Sequence, residues 1–551
     1  MTAAEMREID RLTTERYAVP SLLLMESAAA AAARELAALL SHDLRGKSFL
    51  ILCGRGNNGG DGAALARGLC NAGANVTALL FGRVEETKGD ARTNFDIARK
   101  VTGFVDGADE PAYPLQFFEI VEEAVWKDTR SAFTHNKDVI VDALFGTGLT
   151  RPLEGIYANV VEYIEQLRGR RETGAPLFVS LDIPSGLNAD SNKPIGPAVH
   201  ADLTVTFTAP KPANVLPPAS HFNGRLVVAD IGSPPKLIDE APSKLFLTEA
   251  SDARAWLEAT RYTPDSYKNT HGHAFVVAGS RGMTGAAVLC ADAAMASGAG
   301  LVTLASPESA LSAVAPRLMP EVMTAPLLET EAGSVSAEAH AQFEGLAKRA
   351  TVVAVGCGLS HEHESTRRFV RACVERRRTP LVIDADGLNA LSPWPEELKG
   401  TPEAPVVLTP HEGEMLRLLG TVDGSALKDR TRVVAEFATA RSLFVVLKGT
   451  RTLVAAPDGR VFVNPTGNAG LGTAGSGDTL TGVITGFLAQ EFGAKDKERD
   501  ALAAVLAAVY VAGVAGDLAA RELGMRTMVA SDVRKYLGAA VRSLDPEGEK
   551  P

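Results

Sequence analysis

Residues 48–53 read Ser-Phe-Leu-Ile-Leu-Cys, a run with no polar alternation. A strand with one wet face alternates, so a strand without alternation must be covered on both faces. The run ends on Gly54-Arg55-Gly56-Asn57-Asn58-Gly59-Gly60-Asp61-Gly62, and the helical pattern DGAALARGLCNAG follows. Strand, glycine loop and helix together point to a parallel sheet with helices on both faces. The runs NVTALLF, DVIVDALF, PLFVSLDI, LTVTFT and RLVVADI continue the theme, several of them separated by helical stretches. Ahead of the first strand, PSLLLMESAAAAAARELAALL reads as an alanine-rich amphipathic helix starting just after Pro20.

Near Asp230 the character changes. GSPPKLIDEAPSK holds three prolines and no periodicity, which marks a linker. A second alternation follows in HAFVVAGS, LVTLASP, TVVAVGCG, PLVIDADG, PVVLTPHEG, LFVVLKGT and TLVAAP, then a helical tail from Gly477 to about Val541. The reading is two α/β domains, residues 1–232 and 245–545, joined by a linker at 233–244. Their motifs differ, so the chain reads as a fusion rather than a duplication.

Composition narrows the partners. Lys and Arg number 56 against 67 Asp and Glu, a net charge of −11, which argues against nucleic acid or an anionic membrane as the main partner. The five cysteines form no CxxC pair, so neither a disulfide framework nor a zinc site is expected. Residues 27–33, taken as the longest apolar-looking stretch, are too short to span a bilayer, and the charged start MTAAEMREID is unlike a signal peptide. The expectation is a soluble, cytoplasmic homo-oligomer acting on small molecules.

Three strand ends carry candidate chemistry. The first is the glycine loop, whose backbone amides can wrap a phosphate and whose Asn and Asp oxygens can bind a hard cation. The second is Val141-Asp142-Ala143-Leu144-Phe145-Gly146-Thr147-Gly148-Leu149, and the third is Leu181-Asp182-Ile183-Pro184-Ser185-Gly186-Leu187. Ligands of parallel sheets bind at the carboxyl ends of strands, so the three converge on one site. A tight turn and an N-capping Asp are the plainer readings of each motif taken singly.

Together MREIDRLT, PSLLLME, GRGNNGGDG, VDALFGTGL, DIPSGLNAD and VTFTAPKP closely resemble the YjeF-type N-terminal domain, NAD(P)H-hydrate epimerase. The resemblance covers essentially the whole first half and implies a Rossmann-like fold that binds a hydrated nicotinamide dinucleotide. It implies that Asn57, Asn58, Gly59, Gly60 and Asp61 hold the dinucleotide, with Gly146, Thr147, Gly148, Leu149, Thr150, Arg151 and Pro152 contributing. Asn58, Asp142 and Ser185 match potassium ligands, and Asp182 matches a substrate-contacting carboxylate that would shuttle the proton. Where the family has MENAG, this chain has Met25-Glu26-Ser27-Ala28-Ala29.

In the second half, Asn468-Ala469-Gly470-Leu471-Gly472-Thr473-Ala474-Gly475-Ser476-Gly477-Asp478 opens a long helix, a ready anion hole with a carboxylate at its end. No GxxxxGK[ST] is present, so the site is not of the Walker type. With GMTGAA, VGCGL, DADGLN, TPHEGE and LKGT, the segment resembles the ribokinase-like ADP- or ATP-dependent NAD(P)H-hydrate dehydratases. That resemblance implies that Ala286, Gly358, His411 and Asp478 contact the hydrated dinucleotide. It implies that Lys448, Gly449, Thr450, Arg451, Thr452 and Gly477 contact the phosphodonor, ADP or ATP with Mg2+, and that Asp478 is the base. Cys357 and Ala474 stand where the family has proline and glycine. The competing readings are a ribokinase-like small-molecule kinase with a dinucleotide-sensing first domain, and a first half that only binds.

Overall fold

The computed structural model describes residues 1–102, 115–170, 175–494 and 498–545. The chain divides into two compact units, Met1–Ser243 and Lys244–Pro551.

The first unit is built on seven strands: β1 Ser48–Cys53, β2 Asn75–Leu80, β3 Leu115–Glu119, β4 Val139–Ala143, β5 Leu177–Leu181, β6 Leu203–Phe207 and β7 Arg225–Ala229. They lie in the order β3-β2-β1-β4-β5-β6-β7, all parallel. The unbroken apolar run of β1 has the cause the sequence suggests. Phe49, Ile51 and Cys53 enter a core shared with the helices Ser21–Leu39 and Asn57–Asn71. Leu50 and Leu52 enter a second core, on the other face, with Trp126, Val160 and Ile164. From β1 the chain winds outward to β3, then returns to β4 on the other side of β1 and winds away to β7. The reversal lies between β1 and β4, where a doubly wound sheet opens a crevice at its carboxyl edge.

The second unit adds β8 Leu245–Leu247, β9 His273–Val277, β10 Leu301–Pro307, β11 Met323–Leu327, β12 Val352–Val355, β13 Leu381–Ile383, β14 Val406–Leu408, β15 Phe444–Leu447, β16 Leu453–Ala455 and β17 Val461–Val463. Their order is β11-β10-β9-β12-β13-β14-β15-β16-β17-β8. The sheet is parallel from β11 to β15; β16 then pairs antiparallel with both β15 and β17. Residues 448–452 are therefore the turn of a hairpin. Helix Ser476–Gly493 presses on helix Thr284–Ala296 closely enough that a Cβ at Gly482 would lie 2.2 Å from the Cys290 carbonyl oxygen.

Three sequence expectations change. The stretch 233–244 is not featureless: Pro235–Asp239 forms a short helix with proline in its first turn, and Leu237 is buried. The longest apolar segment is not residues 27–33 but helix Ala501–Leu523, long and apolar enough by length and composition to cross a membrane. It is mostly buried and packs against helices Ala250–Ala259, Ser476–Gly493 and Ala530–Leu544. Finally, β3, β8, β11 and β17 escape the apolar-run criterion. β3, β8 and β11 are edge strands with exposed positions, and β8 and β17 are three residues long.

Leu52 is fully buried between β1 and the helices of its face. Leu52→Ala should cost about 2–5 kcal/mol, the usual range for a leucine cut out of a core. In urea, the transition of the first unit should move to lower concentration while that of the second stays; an unmoved first transition would contradict the two-faced core.

Candidate active sites

In the first unit, β1, β4 and β5 are adjacent, so the loops that leave their carboxyl ends share one edge. They enclose a cavity of about 420 Å3. Asn57, Asn58, Asp61, Gly146, Thr147, Gly148 and Asp182 all line it. Thr150, Arg151 and Pro152 do not, and Leu149 turns into the apolar core. The glycine loop also reads differently in three dimensions. Helix Asn57–Asn71 starts at Asn57, four residues earlier than the pattern suggested, so Asn57 to Asp61 form its first turn with their amides at the positive end of the dipole. A Cβ at Gly54 would lie 2.0 Å from the Leu144 carbonyl oxygen, and one at Gly59 would lie 1.8 Å from that of Gly54. What approaches those glycines is the protein's own backbone; Gly56, with open space around its Cβ position, is the one that faces the cavity.

Asp182 follows β5 with φ at +63°, a conformation that costs a non-glycine residue energy and that its contacts must hold. Its carboxylate accepts from Lys211 Nζ at 2.5 Å and from Thr206 Oγ1 at 3.0 Å. Lys211 is 1% exposed, and its ammonium also donates to Thr206 Oγ1 and the Phe207 carbonyl, each at 3.0 Å. Two further carboxyls share the cavity without an ammonium of their own. Burial raises Asp10 to about 6, and Asp10 Oδ1 has no hydrogen-bond partner among the described residues. Burial and the charge of Asp182 push Asp61 well above the usual carboxylate range. Sequence reading missed Lys211 and Asp10 as site residues, although they sit in the quoted motifs VTFTAPKP and MREIDRLT.

Asp142 is buried, and burial raises its pKa while four donors offset the effect: Leu144 N, Ser185 N, Ser185 Oγ and Ser180 Oγ. Ser185 Oγ in turn accepts from Phe145 N at 2.9 Å. Asn58, 8% exposed, has no partner among the described residues for either atom of its amide. A buried amide left unpaired is costly, so a group outside the protein is its natural partner.

In the second unit the centre is Asp384, buried directly after β13. Lys448 Nζ donates to its Oδ1 at 2.7 Å and Thr481 Oγ1 to its Oδ2 at 2.8 Å. Burial would raise this carboxyl, but Lys448 and the hydrogen bonds outweigh it and hold it low. Asp384 caps no helix, and Lys448, though it follows a strand directly, is largely buried. A Cβ at Gly477 would lie 3.1 Å from Lys448 Nζ, which places the ammonium against the first turn of helix Ser476–Gly493. Gly475 caps that helix at φ +87°, and the buried Ser476 hydroxyl has no partner among the described residues. Ala474 is exposed with an ordinary backbone, so its methyl group strains nothing. Asp478 lies within 4.8 Å of Asp384 and Cys357, and burial together with the Asp384 charge raises it to about 6.

Gly358, at φ +64°, touches Ala286, so these two sequence candidates meet. His411 serves first as a cap. Its Nδ1 accepts from Gly413 N and Glu414 N at the start of helix Glu412–Leu418, which puts the ring proton on Nε2, 3.4 Å from Glu414 Oε1. In the hairpin turn, Arg451 bonds the Pro465 carbonyl, and Thr452 Oγ1 bonds the Gly449 carbonyl at 3.2 Å.

Residues 274–538 match the family described as NAD(P)H-hydrate dehydratase, and residues 21–213 match the YjeF-related protein N-terminus. The bifunctional NAD(P)H-hydrate repair enzyme of Moorella thermoacetica is 40% identical over 549 residues, covering 100% of this chain and 98% of its own. That of Thermofilum pendens is 37% identical, with 99% and 97% covered. Among solved structures, the ADP/ATP-dependent NAD(P)H-hydrate dehydratase from Bacillus subtilis, co-crystallised with ATP and Mg2+, is 30% identical. It covers 54% of this chain and 99% of its own, with a TM-score of 0.45.

Removing one member of a buried ion pair strands the other. Lys211→Met should destabilise the first unit by about 3–5 kcal/mol. Lys211→Met with Asp182→Asn should recover part of that loss, because no uncompensated charge remains. A double-mutant cycle of unfolding midpoints reads this directly, and simple additivity would show that the two groups are not coupled.

Proposed function

The chain belongs to the bifunctional NAD(P)H-hydrate repair enzymes, and from that premise we infer that each unit performs one of the two steps at the site described. The enzyme interconverts the R and S forms of NAD(P)H hydrate and returns the S form to NAD(P)H at the expense of ADP or ATP. The assignment of the second step is carried above all by Asp478, seated at the glycine-led start of a helix beside the Lys448–Asp384 pair.

In the first unit the reaction inverts a carbon that bears a hydroxyl and a ring nitrogen. Inversion follows if the hydroxyl leaves and returns on the other face, or if the ring opens and recloses. Either route needs one group that accepts a proton and one that donates it. Asp182, salt-bridged by Lys211, is the acceptor, and the raised carboxyls of Asp10 and Asp61 are the donors. The amides of the first turn from Asn57, with the glycines of 146–148, receive the dinucleotide phosphates.

Asn58, which lines the cavity, would offer potassium its carbonyl oxygen, with Asp142 and Ser185, hydrogen-bonded to each other, as the further ligands that the resemblance names. The ion would supply fixed positive charge against the diphosphate. Replacing potassium with tetramethylammonium should weaken dinucleotide binding to the first unit by about tenfold, and Asn58→Ala should abolish the difference. Calorimetric titration of the dinucleotide in both salts checks this; equal affinities would contradict the potassium assignment.

In the second unit Asp478 takes the hydroxyl proton of the S hydrate as the hydroxyl attacks the donor's terminal phosphorus. The Gly475, Ser476 and Gly477 amides stabilise the transferring group. The bond to the donor's bridging oxygen breaks. Phosphate then leaves the ring with the C–O electrons, assisted by the nitrogen lone pair, and loss of a ring proton gives NAD(P)H. Magnesium accompanies the donor's phosphates. Both Asp384 oxygens are engaged by Lys448 and Thr481, so that carboxylate's task is to hold the lysine. Incubating the chain with mixed epimers, ADP or ATP, magnesium and potassium should recover nearly all the hydrate as NADH and release free phosphate. A phosphorylated product that persists would favour the kinase reading instead.

The Asp478 pKa sets the acid limb. Its carboxyl is raised to about 6, so the competent base is lost as pH falls through that value. kcat/KM for dehydration should drop about tenfold per pH unit below 6. Asp478→Asn should fall by roughly 100- to 10,000-fold and lose the limb. A flat profile between pH 5 and 7 in the wild-type chain would remove Asp478 from the role.

A further inference from the structure

Arg430 stands outside every motif read from the sequence. It is the first residue of helix Arg430–Arg441, which leads into β15, and its side chain is largely buried at 19% exposure. Nη1 lies 3.5 Å from Glu412 Oε1, an exposed carboxylate. Nε and Nη2 are both buried and have no hydrogen-bond partner among the described residues. These two nitrogens form one side of the guanidinium plane, the edge whose parallel N–H bonds match a carboxylate or a phosphate.

The free edge has a definite neighbour. A Cβ at Gly449 would lie 2.9 Å from Arg430 Nη2 and 3.7 Å from its Cζ, so the guanidinium lies on the Gly449 backbone. Any side chain there would displace it. The next residue along the same turn is Lys448, whose ammonium reaches Gly477 at the start of the anion-binding helix. A cation is thus stationed against the same hairpin turn whose Lys448 reaches the glycine-rich helix start. The nearby carboxylates are committed: Asp384 to Lys448 and Thr481, and Glu414 to the His411 backbone amide. A buried cationic edge without an acceptor is a standing desolvation penalty, and the anion that the reaction brings is the phosphodonor.

We propose that Arg430 is a phosphodonor-binding residue, whose Nε/Nη2 edge takes phosphate oxygens of ADP or ATP at the 448–452 turn. The proposal rests on the assignment of that turn to the donor. It deepens that assignment by naming the group that recognises phosphate rather than nucleoside.

The test uses the full-length chain with Arg430→Met and Arg430→Lys. With the S hydrate saturating, Arg430→Met should raise the KM for ADP about 10- to 100-fold, the loss expected for charged hydrogen bonds. kcat and the KM for the hydrate should stay within about threefold of wild type. Arg430→Lys keeps the charge and loses the fork, so its KM should fall between the two. Calorimetry should show the loss of affinity for ADP but not for adenosine. An unchanged ADP KM and ADP affinity in Arg430→Met overturns the proposal. If that variant melts early, Arg430→Lys decides by the same readings. Lys448→Met separates the two levels of inference. If it raises the ADP KM while Arg430→Met does not, only the role of Arg430 fails; if neither does, the donor turn itself is misassigned.

Discussion

Each unit is organised around a buried aspartate paired with a lysine. Asp182 follows β5 and is held by Lys211; Asp384 follows β13 and is held by Lys448. An isolated carboxylate at that depth would be neutralised or expelled, because desolvation outweighs any single hydrogen bond. The lysine comes from a distant loop, so the ion pair forms only when the sheet has assembled. Such pairs contribute little net stability compared with apolar packing, yet each is costly to break from one side. Their value here is chemical: a carboxylate fixed in charge and position beside a site.

A fixed carboxylate also shapes its neighbours. Asp61 and Asp478 are both raised by burial first and then by the negative charge of the paired aspartate, and burial also lifts Asp10. Two unrelated sheets thus reach one arrangement, with a carboxylate salt-bridged to lysine and a second carboxyl raised above the usual carboxylate range. That is the condition for acid and base work by the same type of side chain. The parallel sheet makes it possible by delivering loops from adjacent strands to one edge, where helix dipoles already favour anions.

Glycine serves two purposes that the sequence does not distinguish. Gly54 and Gly59 permit backbone to touch backbone and so set the loops at the right separation. Gly477 leaves room for Lys448, and Gly449 leaves room for Arg430. The density of glycine in both motifs was a correct signal of close approach. Its object is as often the protein itself as a ligand, and only the packed structure tells the two apart.

The sequence by itself determined the fold class and most strands, because burial on both faces demands unbroken apolar runs and parallel crossovers demand helices between them. The motifs placed Asp142, Asp182, Lys448 and Asp478 at strand ends or a helix start, since glycine and aspartate clusters are local features. Edge strands β3 and β11 were not legible, because half-exposed strands carry no comparable apolar run. Nor were the short helix within 233–244 and the tight packing behind the glycines. The tertiary structure alone decided which charges meet. Lys211 is 29 residues from Asp182, and Lys448 is 64 from Asp384. Asp10 reaches the first cavity from the N-terminal helix, and Arg430 reaches its turn from a helix start. Local pattern records what each segment must bury, whereas electrostatic partnership depends on distances that exist only after the segments have packed.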